Sequence, residues 1–466
     1  MKNNQLLFLF LSIEIIYFSQ IFSQSLLVGL FMSLACLYLK NKQPKISILL
    51  LLSIIIGYND VYFDGTNQIS SFYAYDFLGL TLPVIVIACY FFPEIFKDIF
   101  FNHSFKIYRN DGVLFWYMIL GAIGLFSSIF SETNIRIFIS DLSFIAIPFM
   151  VVYSLRSYKN LNSTFLLYAL LYTILFKLLV DSQNYFFQIG VVIGDERNFF
   201  FDSVGNLSPV AALLGFYLFI EKQNKVGGIL AMILGIFATT NSSSRGTLIL
   251  GLLSLIFYLS LFYKIKKIKI FSKRSFPVLF VLLLFTITIF FSAGDFYFWK
   301  ISTIMPSENF SVLDRDFQSS TVRLLELINI NAYLYDNKLL LNGVGFGGYF
   351  NDNYFPFSHL LFDTTTYNDS WIINNTLYKP HLVALFFYLK TGIVGIIIWL
   401  IIFYKITIGA AYKIIKNSFY QEEAFFMSLS SCLALLMYFK SFNSKLQFIL
   451  GILLYIIINN IVFKDE

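Results

Sequence analysis

Four places along this chain carry side chains whose type and spacing suit chemistry. The first is Asn241-Ser242-Ser243-Ser244-Arg245-Gly246. A guanidinium presents a planar fork of donors that matches a phosphate or carboxylate. Ser243 and Ser244 add hydroxyl donors beside it, and Gly246 leaves room for an oxyanion. The plain alternative is an interfacial anchor, the commonest fate of an Arg beside hydrocarbon. The second is Thr321-Val322-Arg323. Arg near a helix N-terminus is opposed by that helix's dipole. It reads as a second anion donor, or as a surface Arg paired with Asp316 or Glu326. The third is Pro380-His381-Leu382, one of only three histidine positions with His103 and His359. A lone His is usually structural, yet a neutral imidazole at a water–membrane boundary can take a proton from a hydroxyl. The fourth is the run Gly343-Val344-Gly345-Phe346-Gly347-Gly348. Glycines permit positive φ and close backbone approach. Without a preceding strand and a following helix the run is no dinucleotide fingerprint, and a tight turn is its simplest reading.

The elements that must position these residues are apolar. The 466 residues are 58% hydrophobic and 13% charged, with mean hydropathy +0.73. A soluble domain is nearer half apolar and a quarter charged. Runs such as Phe276–Ala293 and Val383–Tyr404 have the length, about 20 residues, that a helix needs to cross a bilayer. The alternating segments of about 10 residues that mark a spanning barrel are absent. Cys36, Cys89 and Cys432 lie inside apolar runs, which argues against a disulfide framework or a CxxC metal site. The net charge of +6 is modest and forms no basic nucleic-acid module. Its 57 Phe and 30 Tyr invite a sugar-stacking reading, but membrane composition accounts for them more simply. Met1-Lys2-Asn3-Asn4 precedes an apolar stretch interrupted by Glu14 and Tyr17, which reads as an uncleaved first span.

Hydropathy places spans at 6–22, 25–39, 46–58, 74–92, 112–130, 136–155, 163–181, 205–221, 226–240, 246–263, 276–293, 381–404, 423–439 and 445–463, an all-α polytopic membrane protein of about 12–14 transmembrane helices. With both termini in the cytoplasm, short inner segments hold 21 of the 33 Lys and Arg residues, including the dense run Lys264, Lys266, Lys267, Lys269, Lys273 and Arg274. The chain then divides into eleven spans over 1–293, a long polar loop on the outer face over 294–380, and three spans over 381–466. A loop of that length without a job is uncommon. It is predicted to hold a helix at Thr321–Tyr335, with Leu324, Leu325, Ile328 and Leu334 at helical spacing and Ser319 or Ser320 as its cap. This topology puts Arg245, Arg323 and His381 on one face of the membrane. Glu14, Asp141, Lys177 and Lys390 fall within spans, where charge is a functional hypothesis by default. A proton or ion relay would want several carboxylates near mid-membrane, so this pattern weakens a secondary transporter. There is no Walker A, H-E-x-x-H or G-x-S-x-G motif.

The order of these pieces resembles the O-antigen ligase/O-antigen polymerase family of bacterial membrane glycosyltransferases. The resemblance runs from Thr239-Thr240-Asn241-Ser242-Ser243-Ser244-Arg245-Gly246 through a span, a basic inner loop and another span. It continues with Thr321-Val322-Arg323, Leu340-Leu341-Asn342-Gly343-Val344-Gly345-Phe346-Gly347, His381 and Lys390-Thr391-Gly392-Ile393-Val394-Gly395. It covers about 160 residues, from 239 to about 400. Each motif is loose, while the ordered set is fairly specific. This chain has Leu382 where the family often has Asn, and Lys390 where it often has Glu or Gln.

The resemblance implies a GT-C-like arrangement in the bacterial inner membrane, with the long loop and the active site facing the periplasm or cell exterior. It implies transfer of glycan from an undecaprenyl-diphosphate carrier, with inversion at the anomeric carbon and without metal or cofactor. Arg245 and Arg323 would offset the charge of the diphosphate, and His381 would serve the acceptor hydroxyl. Ser243, Ser244, Gly343, Gly345, Gly347 and Lys379 would contact diphosphate or glycan, with Arg136 and Arg197 as further candidates. The expected activity is polymerisation of polysaccharide repeat units for O-antigen or capsule. The alternatives are an O-antigen ligase acting on lipid A–core and, in a different class, a flippase or transporter of lipid-linked oligosaccharide. The expected partners are the lipid-linked oligosaccharide, the bilayer and a chain-length regulator; no nucleic acid is expected.

Overall fold

A backbone N–H or C=O left without a partner in hydrocarbon costs several kcal/mol, so apolar runs close their hydrogen bonds internally as helices. The computed structural model describes residues 1–22, 24–58, 72, 75–102, 112–158, 161–187, 208–220, 225–241, 245–266, 318–358, 367–417, 421–439 and 443–462. Over these the helices are α1 (Asn3–Ile21), α2 (Ser25–Leu39), α3 (Pro44–Gly57), α4 (Leu82–Phe100), α5 (Gly112–Ser128), α6 (Ile135–Leu155), α7 (Ser163–Phe187), α8 (Ser208–Ile220), α9 (Lys225–Asn241) and α10 (Arg245–Lys266). They continue as α11 (Gln318–Asp336), α12 (Asp369–Ile373), α13 (Val383–Tyr404), α14 (Ala410–Asn417), α15 (Gln421–Phe439) and α16 (Ser444–Val462). A π-helical turn, Lys405–Gly409, precedes α14.

Helices occupy every expected span except 276–293, which lies outside the described residues with the basic positions from Lys267 to Arg274. Four stretches are long and apolar enough to cross a membrane: Asn3–Ile21, Ile135–Leu155, Ser163–Gln183 and Val383–Lys416. Seven further apolar helices are shorter. The described residues are mainly helical with almost no sheet, as an all-α membrane protein would be. The expected span at 74–92 is corrected at its start. A hairpin of β1 (Asp76–Phe77) and β2 (Leu80–Thr81) comes first. Leu78 (φ 53°) and Gly79 (φ 86°) make its turn, and the Gly79 N–H donates to Asp76 Oδ1 at 2.8 Å. Helix α4 then begins beside Pro83, whose fixed φ suits a first turn.

The contacts divide the chain into two compact units that do not follow its linear order. One comprises Met1–Asp111, Ile147–Thr288 and Lys405–Glu466; the other comprises Gly112–Ala146 and Ile289–Tyr404. In the first, α8 and α9 approach through small residues. A Cβ on Gly215 would stand 2.5 Å from the Met232 backbone nitrogen and 2.6 Å from the Gly228 oxygen. Two ion pairs lie among the described residues of this unit. Lys177 meets Asp181 at 2.6 Å, and Lys40 meets Glu94 at 3.2 Å. Glu14 accepts from Gln183 at 3.1 Å. The buried Lys445 donates to the Tyr58 carbonyl at 2.8 Å.

In the second unit, α13 is broken at Gly392, whose φ of 65° no helix tolerates. The break frees carbonyls on one side and N–H groups on the other, and the glycine run answers both. Val344 N–H donates to Leu389 O at 2.8 Å, and Gly345 N–H to Lys390 O at 2.9 Å. In return Ile393 and Val394 donate to Leu340 O and Leu341 O at 2.9 and 3.3 Å. Gly343, Gly345 and Gly347 all have positive φ. A Cβ on Gly343 would stand 2.5 Å from the Leu389 oxygen, so the close approach requires glycine. The fully buried pair Lys390–Asp141, at 2.8 Å, pins this knot to α6. Lys390 also donates to Gly348 O at 2.6 Å, and Gly347 N–H donates to Asp141 Oδ2 at 2.9 Å.

Candidate functional site

Helix α11 carries the centre of the site, and it departs from the face expected of it. The apolar spacing predicted an inward stripe of Leu324, Leu325, Ile328 and Leu334. Of these only Leu334 is buried, while Leu324 is 56% exposed. The buried face is Val322, Glu326, Asn329, Ile330 and Leu334. The reason is tertiary. Phe350, Phe357, Tyr367, Ile372, Leu377, Leu385 and Leu389 form a core around that face, and two polar side chains on it find partners there. Asn329 donates to Leu325 O and Phe355 O and accepts from Phe355 N–H, all within 3.0 Å. The helix also begins earlier than predicted, at Gln318, so Ser319 and Ser320 lie inside its first turn.

Glu326 is fully buried, and its donors among the described residues are Tyr367 and His381. His381 N–H donates to both carboxylate oxygens, at 3.2 and 3.1 Å. His381 Nδ1 stands 2.5 Å from Oε1. The Tyr367 hydroxyl donates to the same oxygen. Burial, then the Glu326 charge, pushes the Tyr367 phenol well above its ordinary range, so it remains a donor. The Tyr367 ring meets the imidazole edge-on, with centroids 5.3 Å apart. In the neutral ring, a carboxylate that accepts at Nδ1 selects the tautomer with the proton on Nδ1 and the lone pair on Nε2. Nε2 has no partner among the described residues, and the His381 side chain is 27% exposed. The arrangement can accept a proton at Nε2 and stabilise the resulting imidazolium through Glu326.

The other sequence-predicted residues take several places. Arg323 is exposed on α11 and has no ion-pair partner among the described residues. Glu326, offered as its surface partner, is buried and serves His381 instead, because the apolar core covers that face. Lys379 Nζ donates to Ser140 Oγ at 2.9 Å and lies 5.2 Å from the Phe144 ring centre. Ser140 is one helical turn beyond Arg136 on α6, so Lys379 and Arg136 share a neighbourhood. Gly343, Gly345 and Gly347 were expected to contact substrate. All six N–H groups from Gly343 to Gly348 are taken by protein acceptors, which leaves none to hold an anion. Their role in the described structure is to close the break in α13. Arg245 opens α10 in the other compact unit. Ser243, Ser244, Arg197, His103 and His359 lie outside the described residues.

Sequence reasoning missed Glu326 and Tyr367 as functional residues. The available signal for Glu326 was its spacing with Val322, Asn329 and Ile330, a helical face once a carboxylate is allowed on it. Tyr367 left no such signal. The chain matches no protein-family model and no curated protein.

Proposed function

We propose that this protein is a glycosyltransferase of the polysaccharide-polymerase type, working at the outer face of the bacterial cytoplasmic membrane. In this reading about 12–14 helices span the bilayer in a GT-C-like arrangement, and residues 294–380 lie outside. The observation that carries the reading is the half-open His381–Glu326 pair, set where the loop meets an apolar helix. A lipid-linked donor presents its reacting carbon at that depth, where the bilayer meets water.

The step balances as a single displacement. His381 Nε2 takes the proton of an acceptor sugar hydroxyl. That oxygen bonds to the anomeric carbon of the donor glycan. The bond from that carbon to the diphosphate oxygen breaks, and undecaprenyl diphosphate leaves with the electron pair. The configuration inverts. Arg323 and Lys379 are the cations assigned to the departing diphosphate, whose charge would otherwise oppose the step. Glu326 holds the ring before transfer and stabilises the imidazolium after it. The growing chain is the donor and a lipid-linked repeat unit the acceptor.

Purified protein, given lipid-linked oligosaccharide in liposomes, is expected to lengthen it. Movement across the bilayer with no lengthening would overturn this reading in favour of a flippase. A strain lacking the protein separates polymerase from ligase. A polymerase mutant keeps single repeat units on lipid A–core, whereas a ligase mutant loses all glycan from it.

A further inference from the structure

The backbone that delivers His381 first builds a row of aromatic rings. Phe350 and Leu377 form an antiparallel bridge, each donating to the other at 3.0 and 2.9 Å. Both side chains are fully buried. Neighbours along a strand point to opposite faces, so Tyr349 and Tyr378 pair on the outer side. Their ring centres are 5.8 Å apart. Trp371 on α12 extends the row, 5.2 Å from Tyr378, and its carbonyl accepts from Thr376 N–H at 2.9 Å. Tyr333 on α11 extends it the other way, 6.4 Å from Tyr349. All four residues are half-buried, and successive rings meet at 42° to 65°.

From this row we infer a binding subsite for an oligosaccharide, with neutral pyranose rings seated against the aromatic faces. The inference rests on the glycosyltransferase reading, and three observations select the occupant. Half-open Tyr and Trp rings give an apolar face with a polar edge, which matches a sugar's C–H face and its hydroxyl rim. Two carboxylates lie close by. Exposed Glu132 accepts from the Tyr349 hydroxyl at 3.2 Å, and Asp336 accepts from Tyr354. Such acceptors suit the hydroxyl donors of a sugar. The row is also continuous with the reacting centre. Tyr378 precedes His381 by three residues, at most about 11 Å of extended chain. Four consecutive rings exceed the footprint of one sugar, so the occupant is a stretch of chain.

The test uses the full-length protein in nanodiscs. The probe is oligosaccharide released by mild acid from the lipid carrier of a strain lacking this protein. Saturation-transfer NMR is expected to detect binding, with Kd raised about tenfold or more in Trp371→Ala and Tyr378→Ala. Trp371→Phe keeps a π face and should stay within about threefold of the unaltered protein. If Trp371→Ala lowers the thermal midpoint, Tyr378→Leu, which keeps apolar bulk without a π face, carries the test. No binding by the unaltered protein, or equal binding by all variants, overturns the subsite. The two readings fail separately. Binding through the row without any chain extension leaves the subsite standing and removes the polymerase. Extension with an unchanged KM in Trp371→Ala and Tyr378→Ala keeps the polymerase and removes the subsite.

Discussion

Two buried carboxylates in the same compact unit each hold a nitrogen-bearing side chain, and they differ in what they leave open. Asp141 and Lys390 are both fully buried and shut off from solvent; Lys390 also donates to a backbone carbonyl, and Asp141 Oδ1 has no hydrogen-bond partner among the described residues. Glu326 is as deeply buried, but its partner His381 keeps 27% of its side chain exposed and one ring nitrogen unclaimed. A closed pair holds elements together. A half-open pair aims a reactive atom. The glycine knot, with its six satisfied amides, belongs wholly to the closed side of this comparison.

Breaking the closed pair should give the largest effect on folding. Asp141→Ala leaves Lys390 buried and unpaired, a loss of about 3–5 kcal/mol, read as a lowered thermal midpoint and poor accumulation in the membrane. Asp141→Leu with Lys390→Met removes both charges and should recover part of that loss. Next is the half-open pair. Glu326→Ala should slow transfer about 10²-fold by releasing the ring. Glu326→Gln keeps an acceptor and loses only the charge, so it should slow transfer about tenfold. Equal stability losses at Glu326 and Asp141, with unchanged turnover at Glu326, would erase the distinction. Arg323→Ala should abolish transfer without altering expression, and Arg323→Lys should restore only part because the fork is lost. The smallest contrast tests the face of α11. Ile330→Ala should cost about 2–5 kcal/mol in thermal or chemical unfolding. Leu324→Ala should stay within about 0.5 kcal/mol.

The helices were legible because membrane physics writes them plainly: about 20 apolar residues with few charges admit little else. The exceptions are local. The hairpin before α4 was hidden because Phe77, Leu78 and Leu80 extend an apolar run that hydropathy reads as helix. Gly392 stood in the sequence, but its partners are backbone groups of Leu340 to Gly345, and a backbone hydrogen bond leaves no side-chain trace. Within the site, His381 was legible by rarity and position. Glu326 was not, because an apolar stripe, by construction, passes over a buried carboxylate whose partner lies 55 residues away. The division into two units was likewise illegible, since it depends on 112–146 packing with a segment far along the chain.

The role proposed for His381, oriented by Glu326, is to serve the acceptor hydroxyl in glycan transfer. It is tested most directly by the rate at which purified His381→Ala protein, matched in thermal midpoint to the unaltered protein, lengthens lipid-linked oligosaccharide. The rate is expected to fall about 10²–10⁴-fold. Near-normal chain growth would contradict it.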